Sequence, residues 1–187
     1  DTIYSVGEDA IDIQIRVDEG RQYYFRNIDW TGNYVHSDKT LDAILGINKG
    51  DIYNRELIDQ KLTFNPRGPD ISGLYMDAGY LFFQVNPTEV AVEGDSIDIE
   101  MRIYEGDQAV IRNVIIKGND RTRDHVIRRE LSTVPGQKFS RYDIIRTTQR
   151  LSSLGYFDPE QISPVPIPNP ADGTVDIEWS LVERSSD

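Results

Sequence analysis

The chain has 187 residues, a formal net charge of −12 and no cysteine. Its carboxylates repel phosphate backbones and anionic headgroups, so no nucleic-acid partner is expected, and the missing thiols exclude disulfides, thiolate metal sites and cysteine nucleophiles. Nothing reaches the roughly 20 apolar residues of a membrane-spanning helix, and the N-terminus carries no signal-peptide pattern.

Residues 1–10 are polar, with Asp9 just ahead of the first patterned stretch, Ile11-Asp12-Ile13-Gln14-Ile15-Arg16-Val17-Asp18-Glu19-Gly20. Alternation of apolar and polar residues predicts a strand with one buried face. The pattern returns at 97–106 and at 175–184. The expected buried sets are Ile11, Ile13, Ile15 and Val17, then Ile97, Ile99, Met101 and Ile103, then Val175, Ile177, Trp179 and Leu181. The first two copies end in Glu-Gly and lead into a new strand-like segment, so each reads as the last element of a repeated unit. The chain then divides into 1–20, a hairpin left from a preceding unit, and two complete units at 21–106 and 107–187. A chain that opens inside a repeat reads as a fragment.

In the first unit, Tyr23–Trp30 is an aromatic-rich strand closed by Thr31-Gly32-Asn33. Ser37 is the expected N-cap of a helix carrying Leu41, Ile44 and Leu45 and stopped by Gly46. Asn54 caps a second helix with Leu57, Ile58 and Leu62 on one face, interrupted by Pro66 and Pro69. Helical spacing resumes at Leu74, Tyr75 and Ala78 and stops at Gly79. A strand is expected over 80–92, then a hairpin turn at Glu93-Gly94-Asp95-Ser96.

The second unit repeats the plan. Its first strand is Val110–Ile116, and Ile111-Arg112-Asn113 matches Phe25-Arg26-Asn27 at an offset of 86 residues, as Gly118-Asn119 matches Gly32-Asn33. Thr122 is expected to start a helix burying Ile127 and Leu131. Ser140, with Asp143, caps another that carries Ile144, Ile145, Leu151 and Leu154. Gly155-Tyr156 matches Gly79-Tyr80 at an offset of 76, so the first unit holds ten extra residues around 64–72, read as a surface excursion that could be deleted. Asp172-Gly173 makes the last hairpin turn. The fold class is α+β: two tandem β-α-α-β-β units, each a three-stranded mixed sheet with two helices on one face and the repeated strand at its centre.

This element order, the matched Gly-Asn turns and the helix exits (Leu74-Tyr75…Gly79-Tyr80-Leu81 and Leu151…Leu154-Gly155-Tyr156-Phe157) resemble POTRA domains of the Omp85 superfamily of outer-membrane assembly factors. The closing Val182-Glu183-Arg184-Ser185-Ser186 is similar to the end of the barrel-proximal POTRA unit. The resemblance implies a non-catalytic periplasmic arm of an outer-membrane protein, joined to its own C-terminal membrane β-barrel outside this stretch. Its implied partners are unfolded outer-membrane protein clients and accessory assembly lipoproteins, with no cofactor. The inserted Phe64–Pro69 segment departs from the minimal pattern and leaves the branch open between assembly, two-partner secretion and autotransporter-assembly types. A purely structural spacer is the rival reading.

Most carboxylates fall on polar strand faces or in turns and read as solvated. His36 and His125 lack metal-ligand spacing and do not match between units. No phosphate loop or nucleophile elbow is present, and both tryptophans read as core. The candidate polypeptide-binding residues are Tyr80, Phe82, Gln84 and Asn86. If Leu81, Phe83 and Val85 face the helices, Tyr80 and Phe82 project outward beside a strand edge; the alternative is that the insertion or the neighbouring unit covers them. In the second unit Pro164, Pro166 and Pro168, spaced by two, strip the donors from one side of their strand, which must be its free side. Strand addition is therefore expected on the first unit, whose corresponding strand has only Pro87.

Overall fold

A computed structural model describes the backbone of residues 2–5 and 11–14 and the whole of residues 15 and 17–185. Strands β1 (Thr2–Ser5) and β2 (Ile11–Gln14) pair antiparallel, with Thr2 opposite Gln14 and Ser5 opposite Ile11. Asp9 and the side chains of Ile11 and Ile13 lie outside the described residues. Ile15 and Val17, expected to be buried, are exposed. A two-stranded sheet with no third strand or helix of its own among the described residues offers them no apolar surface.

The first unit runs β3 (Tyr24–Thr31), α1 (Asp38–Leu45), α2 (Arg55–Leu62), α3 (Ile71–Met76), β4 (Gln84–Glu93) and β5 (Ser96–Tyr104). The second runs β6 (Val110–Lys117), α4 (Asp124–Arg128), α5 (Arg141–Ser153), a one-turn 3-10 helix (Pro159–Gln161), β7 (Ser163–Asn169) and β8 (Thr174–Ser180). The sheet orders are β3-β5-β4 and β6-β8-β7. In each, the closing strand is central, parallel to the first strand and antiparallel to the second. Ile97, Ile99, Met101 and Ile103 in β5, and Val175, Ile177 and Trp179 in β8 with Leu181 just beyond it, all face the helices and are buried. Period-2 alternation thus becomes one apolar face per sheet, roofed by helices.

Local signals set most helix ends. Ser37 accepts from the Thr40 amide, Asn54 from Leu57 and Ser140 from Asp143, while Gly46 leaves α1 in the left-handed conformation. Thr122 starts no helix. α4 begins two residues later, with Arg123 at the cap position and no side-chain cap, and the Thr122 amide donates to Glu183 at 2.6 Å. Leu57 and Ile145 are exposed where helical spacing placed them inward; Ile58, Leu62 and Leu151 take the buried face. The inserted segment is only partly a surface excursion. Pro66 and Pro69 lie outside helices, but Asp70, Ile71 and Ser72 are buried. α3 begins within the segment, capped by Asp70, so its removal takes out core.

The matched Phe/Ile-Arg-Asn triplets build a β-bulge in each sheet, between Phe25 and Ile28 and between Ile111 and Val114. Asp98 on the central strand accepts Arg26 Nε (2.8 Å) and Nη2 (2.6 Å), and both the backbone N–H (3.1 Å) and Nδ2 (3.0 Å) of Asn27. Asp176 does the same with Arg112 and Asn113. The guanidinium holds each aspartate below the usual carboxylate range. These carboxylates, read as solvated, pin the register of the first strand against the central one.

A second carboxylate recurs just past each central strand. Glu105 accepts from the Val35 amide at 2.9 Å, and Glu183 from the amides of Arg121 and Thr122. Those bonds, with the Arg121 guanidinium, hold Glu183 down at about 2. A carboxylate depressed in the folded chain contributes stability above its unfolded value, and that contribution is lost as pH falls toward the folded one. A Glu183→Gln variant should therefore melt lower than the parent near neutral pH, and the gap should close as pH falls from about 4.5 to about 2. Thermal melts across that window check it, and a constant gap contradicts it.

Candidate functional site

The first sheet has two outer strands, β3 and β4, and the candidate residues fall at or just before the start of β4. That strand starts at Gln84 rather than at Tyr80, because the exit from α3 coils through Gly79, at φ 98°, into successive tight turns. The Tyr80 amide donates to Tyr75 O, Leu81 to Gly79 O and Phe83 to Tyr80 O, so residues 80–83 have no strand geometry. The outward aromatic pair is accordingly corrected. Tyr80 turns back edge-on to Tyr75, at 5.9 Å between ring centres, and packs on the first core. Leu81 and Phe82 pack on the core of the second unit, so the neighbouring unit covers them. Of the four candidate residues, only Gln84 and Asn86 lie on the exposed strand.

The outer strands β4 and β7 differ in donors. Pro87 stands opposite Met101, as Pro164 stands opposite Trp179, and these two central-strand residues are equivalent in the repeat. Prolines escape a cost there only if that side of the strand is the free one. β7 continues with Pro166 opposite Ile177 and Pro168 opposite Val175, so its free side lacks all three donors. In β4, the residues sharing Pro87's side across the regular part of the ladder are Val85 and Glu89, and both keep an N–H there. The free donors are therefore Val85 and Glu89, not Gln84 and Asn86, whose amides face β5. A bulge between Glu89 and Ala91 bends the far end of the strand.

Beneath this edge, a cavity of about 310 Å³ opens between α2 and β4, with Ile58, Pro87 and Ile99 on its apolar side and Arg55 and Glu89 on its polar side. The Tyr53 hydroxyl donates to Glu89 at 2.6 Å across it, and burial together with that carboxylate pushes the phenol up to about 12. A second cleft, of about 390 Å³, lies where the start of β4 meets the β7–β8 turn; Leu81, Phe82, Tyr104 and Pro170 line it. An extended chain laid along β4 would find backbone donors and acceptors at the edge and an apolar slot on the helix side. That is the arrangement strand addition uses.

No group of His, Asp and Glu suited to a metal occurs among the described residues. His36 sits edge-on to Tyr75 at 4.8 Å. Both tryptophans are core: Trp30 Nε1 donates to Asp42 at 2.8 Å and Trp179 Nε1 to Thr133 at 3.2 Å. The sequence missed the contacts between the units. Arg141 of α5 reaches Asp70, the Tyr142 amide donates to Asp77, and the Ala109 amide donates to Gly79 O. Their residues lie tens of positions apart in sequence, with no local pattern to betray them.

The POTRA family model, described as a surface antigen variable number repeat, matches residues 23–106 and 109–184. The outer membrane protein assembly factor BamA of Nitratidesulfovibrio vulgaris is 27% identical over 183 residues, 96% of this chain and 22% of that protein. BamA of Neisseria meningitidis serogroup B is 28% identical over 176 residues, 93% of this chain and 21% of that one. The chain thus spans about a fifth of the length of these relatives. The crystal structure of Haemophilus influenzae BamA POTRA3-5 superposes with a TM-score of 0.74 at 22% identity, covering 88% of this chain and 63% of that one. Two repeats of one β-α-α-β-β plan, the second helix of the first divided by its insertion, and a family model that matches each of them establish that the chain belongs to the POTRA family.

Proposed function

We propose that this chain is a stretch of the periplasmic arm of an outer-membrane protein assembly factor, and that its first unit receives extended polypeptide by strand addition along β4. It is a non-catalytic scaffold. Residues 1–20 are the closing hairpin of a preceding unit, and 107–187 is the unit nearest the protein's own membrane barrel. Clients in this reading are unfolded outer-membrane proteins, with accessory lipoproteins docking on the same arm. Relatives of 27% and 28% identity named as BamA support the assembly role over the secretion-type branches.

The observation that carries the strand-addition reading is the contrast between the outer strands β4 and β7. β4 keeps free amides at Val85 and Glu89, whereas β7 presents Pro164, Pro166 and Pro168 in their place. Main-chain pairing is tolerant of client sequence, which suits an arm that serves many chains. Photo-crosslinkers at Gln84 and at Val165 test it in cells that are exporting outer-membrane proteins. Capture of extended polypeptide is expected at 84 and not at 165. Capture at 165 equal to or above that at 84 rejects the reading, and silence at both favours a spacer.

A further inference from the structure

We propose that the inserted segment of the first unit and Arg141 of the second form a socket that locks the two units at one angle. Arg141 is the first residue of α5, and its guanidinium leaves its own unit. Nη1 donates to Thr63 O at 3.0 Å, Nη2 donates to Asp70 Oδ2 at 2.8 Å, and the guanidinium carbon stands 5.7 Å from the centre of the Phe64 ring. Asp70 is only 2% exposed. Its other oxygen caps α3 through the Gly73 amide at 2.7 Å, so each carboxylate oxygen has a fixed task. A carboxylate this buried is costly without its cation, and the forked guanidinium satisfies it in one orientation.

Position 73 shows how closely the socket is fitted. A Cβ built on Gly73 would lie 2.1 Å from Arg141 Nη2, so only glycine leaves room for the guanidinium. A second directional bond stands beside the first. The Tyr142 amide, one of the free donors of the first turn of α5, donates to Asp77 Oδ1 of the first unit at 2.7 Å. The helix start is thus capped from both sides of the joint, by its own Ser140 and by Asp77. Joints between domains move by default unless a large apolar interface fixes them, and here the directional bonds add to the packing of Met76, Leu81 and Phe82 on the second core. The ten extra residues therefore act as half of a lock. This inference rests on the fold alone and stands or falls independently of strand addition.

The chain has no cysteine, so a Lys49→Cys, Gln149→Cys pair on the exposed surfaces of the two units carries spin labels cleanly. Pulsed dipolar distances in the 187-residue chain should give one narrow distribution. Arg141→Ala should broaden it about twofold as default interdomain motion returns. Gly73→Ala should broaden it likewise by closing the socket, although alanine favours the helix it sits in. Asp70 variants also remove the α3 cap and are not used. The chain has one tryptophan in each unit, so denaturation followed by fluorescence in a Trp179→Phe background reads the first unit at Trp30, and in a Trp30→Phe background the second at Trp179, and shows that both variants keep each unit folded. A parent distribution already broad, or an Arg141→Ala distribution as narrow as the parent's, overturns the proposal.

Discussion

The Gly118→Ala variant is expected to lose about 4 kcal/mol or more and to leave the second unit largely unfolded. Gly118 lies just past β6, at φ 81°, where the chain crosses the exit of the central strand. A Cβ there would stand 1.9 Å from Leu181 O, a backbone atom with no rotamer to yield. That carbonyl cannot retreat without loosening the Leu181 amide, which donates to Lys117 O at 2.9 Å. Two costs therefore add: the left-handed conformation, about 1–2 kcal/mol for a residue with a Cβ, and displacement of the strand exit. Gly136→Ala separates them. Gly136 has φ 88° but no atom within 4 Å of its would-be Cβ, so only the conformational cost applies. Urea titration followed by fluorescence in a Trp30→Phe background, which leaves Trp179 as the reporter, measures both variants. A Gly118→Ala loss no larger than that of Gly136→Ala removes the close-approach argument. The matched position Gly32, whose Cβ would lie 2.0 Å from Ile103 O, should behave as Gly118 does in the first unit.

The Trp179→Ala variant is expected to cost about 3–5 kcal/mol. Its ring is wholly buried at the centre of the second core, among Ile127, Leu151 and Ile177. Truncation opens a cavity and also strips the indole donor from Thr133, a hydroxyl itself only 2% exposed. Trp179→Phe should keep most of the packing and lose chiefly that hydrogen bond, about 1–3 kcal/mol. Trp30→Ala should cost less, because Trp30 is 7% exposed and donates to Asp42 on the outer face of α1, which water can satisfy. Far-UV melting of the Ala and Phe variants ranks them. Equal losses at 30 and 179 would show that burial depth does not set the cost.

What the sequence made legible was local. The alternation at 97–103 and 175–181, the caps Ser37, Asn54 and Ser140, and the glycines that end helices each act within a few residues, so spacing alone places them. The strand carrying the candidate site was read too long, because the aromatic run Tyr80–Phe83 has strand propensity while Gly79 and the second core dictate a coil. Thr122 failed as a helix start: α4 begins at Asp124 without a side-chain cap, and Thr122 is tied instead to the distant Glu183. Asp98 and Asp176 were visible as polar positions, but their bonds to Arg26 and Arg112 needed the fold, although the repeated Arg-Asn pair was the available clue. The outer position of β7 followed from backbone chemistry alone, because three missing amides at one spacing leave only one side for pairing.

That proline row has a consequence for how copies of the chain meet. In a crowded compartment every unpaired sheet edge is also a template for an identical neighbour. Two β4 strands from different copies could pair antiparallel about a two-fold axis, a contact that closes on itself after two molecules. A β7 strand brings too few donors to join either another β7 or a β4. With β7 silent, β4 of one copy cannot link to β7 of the next. A β4–β4 dimer of that kind would occupy the same edge that an incoming polypeptide needs.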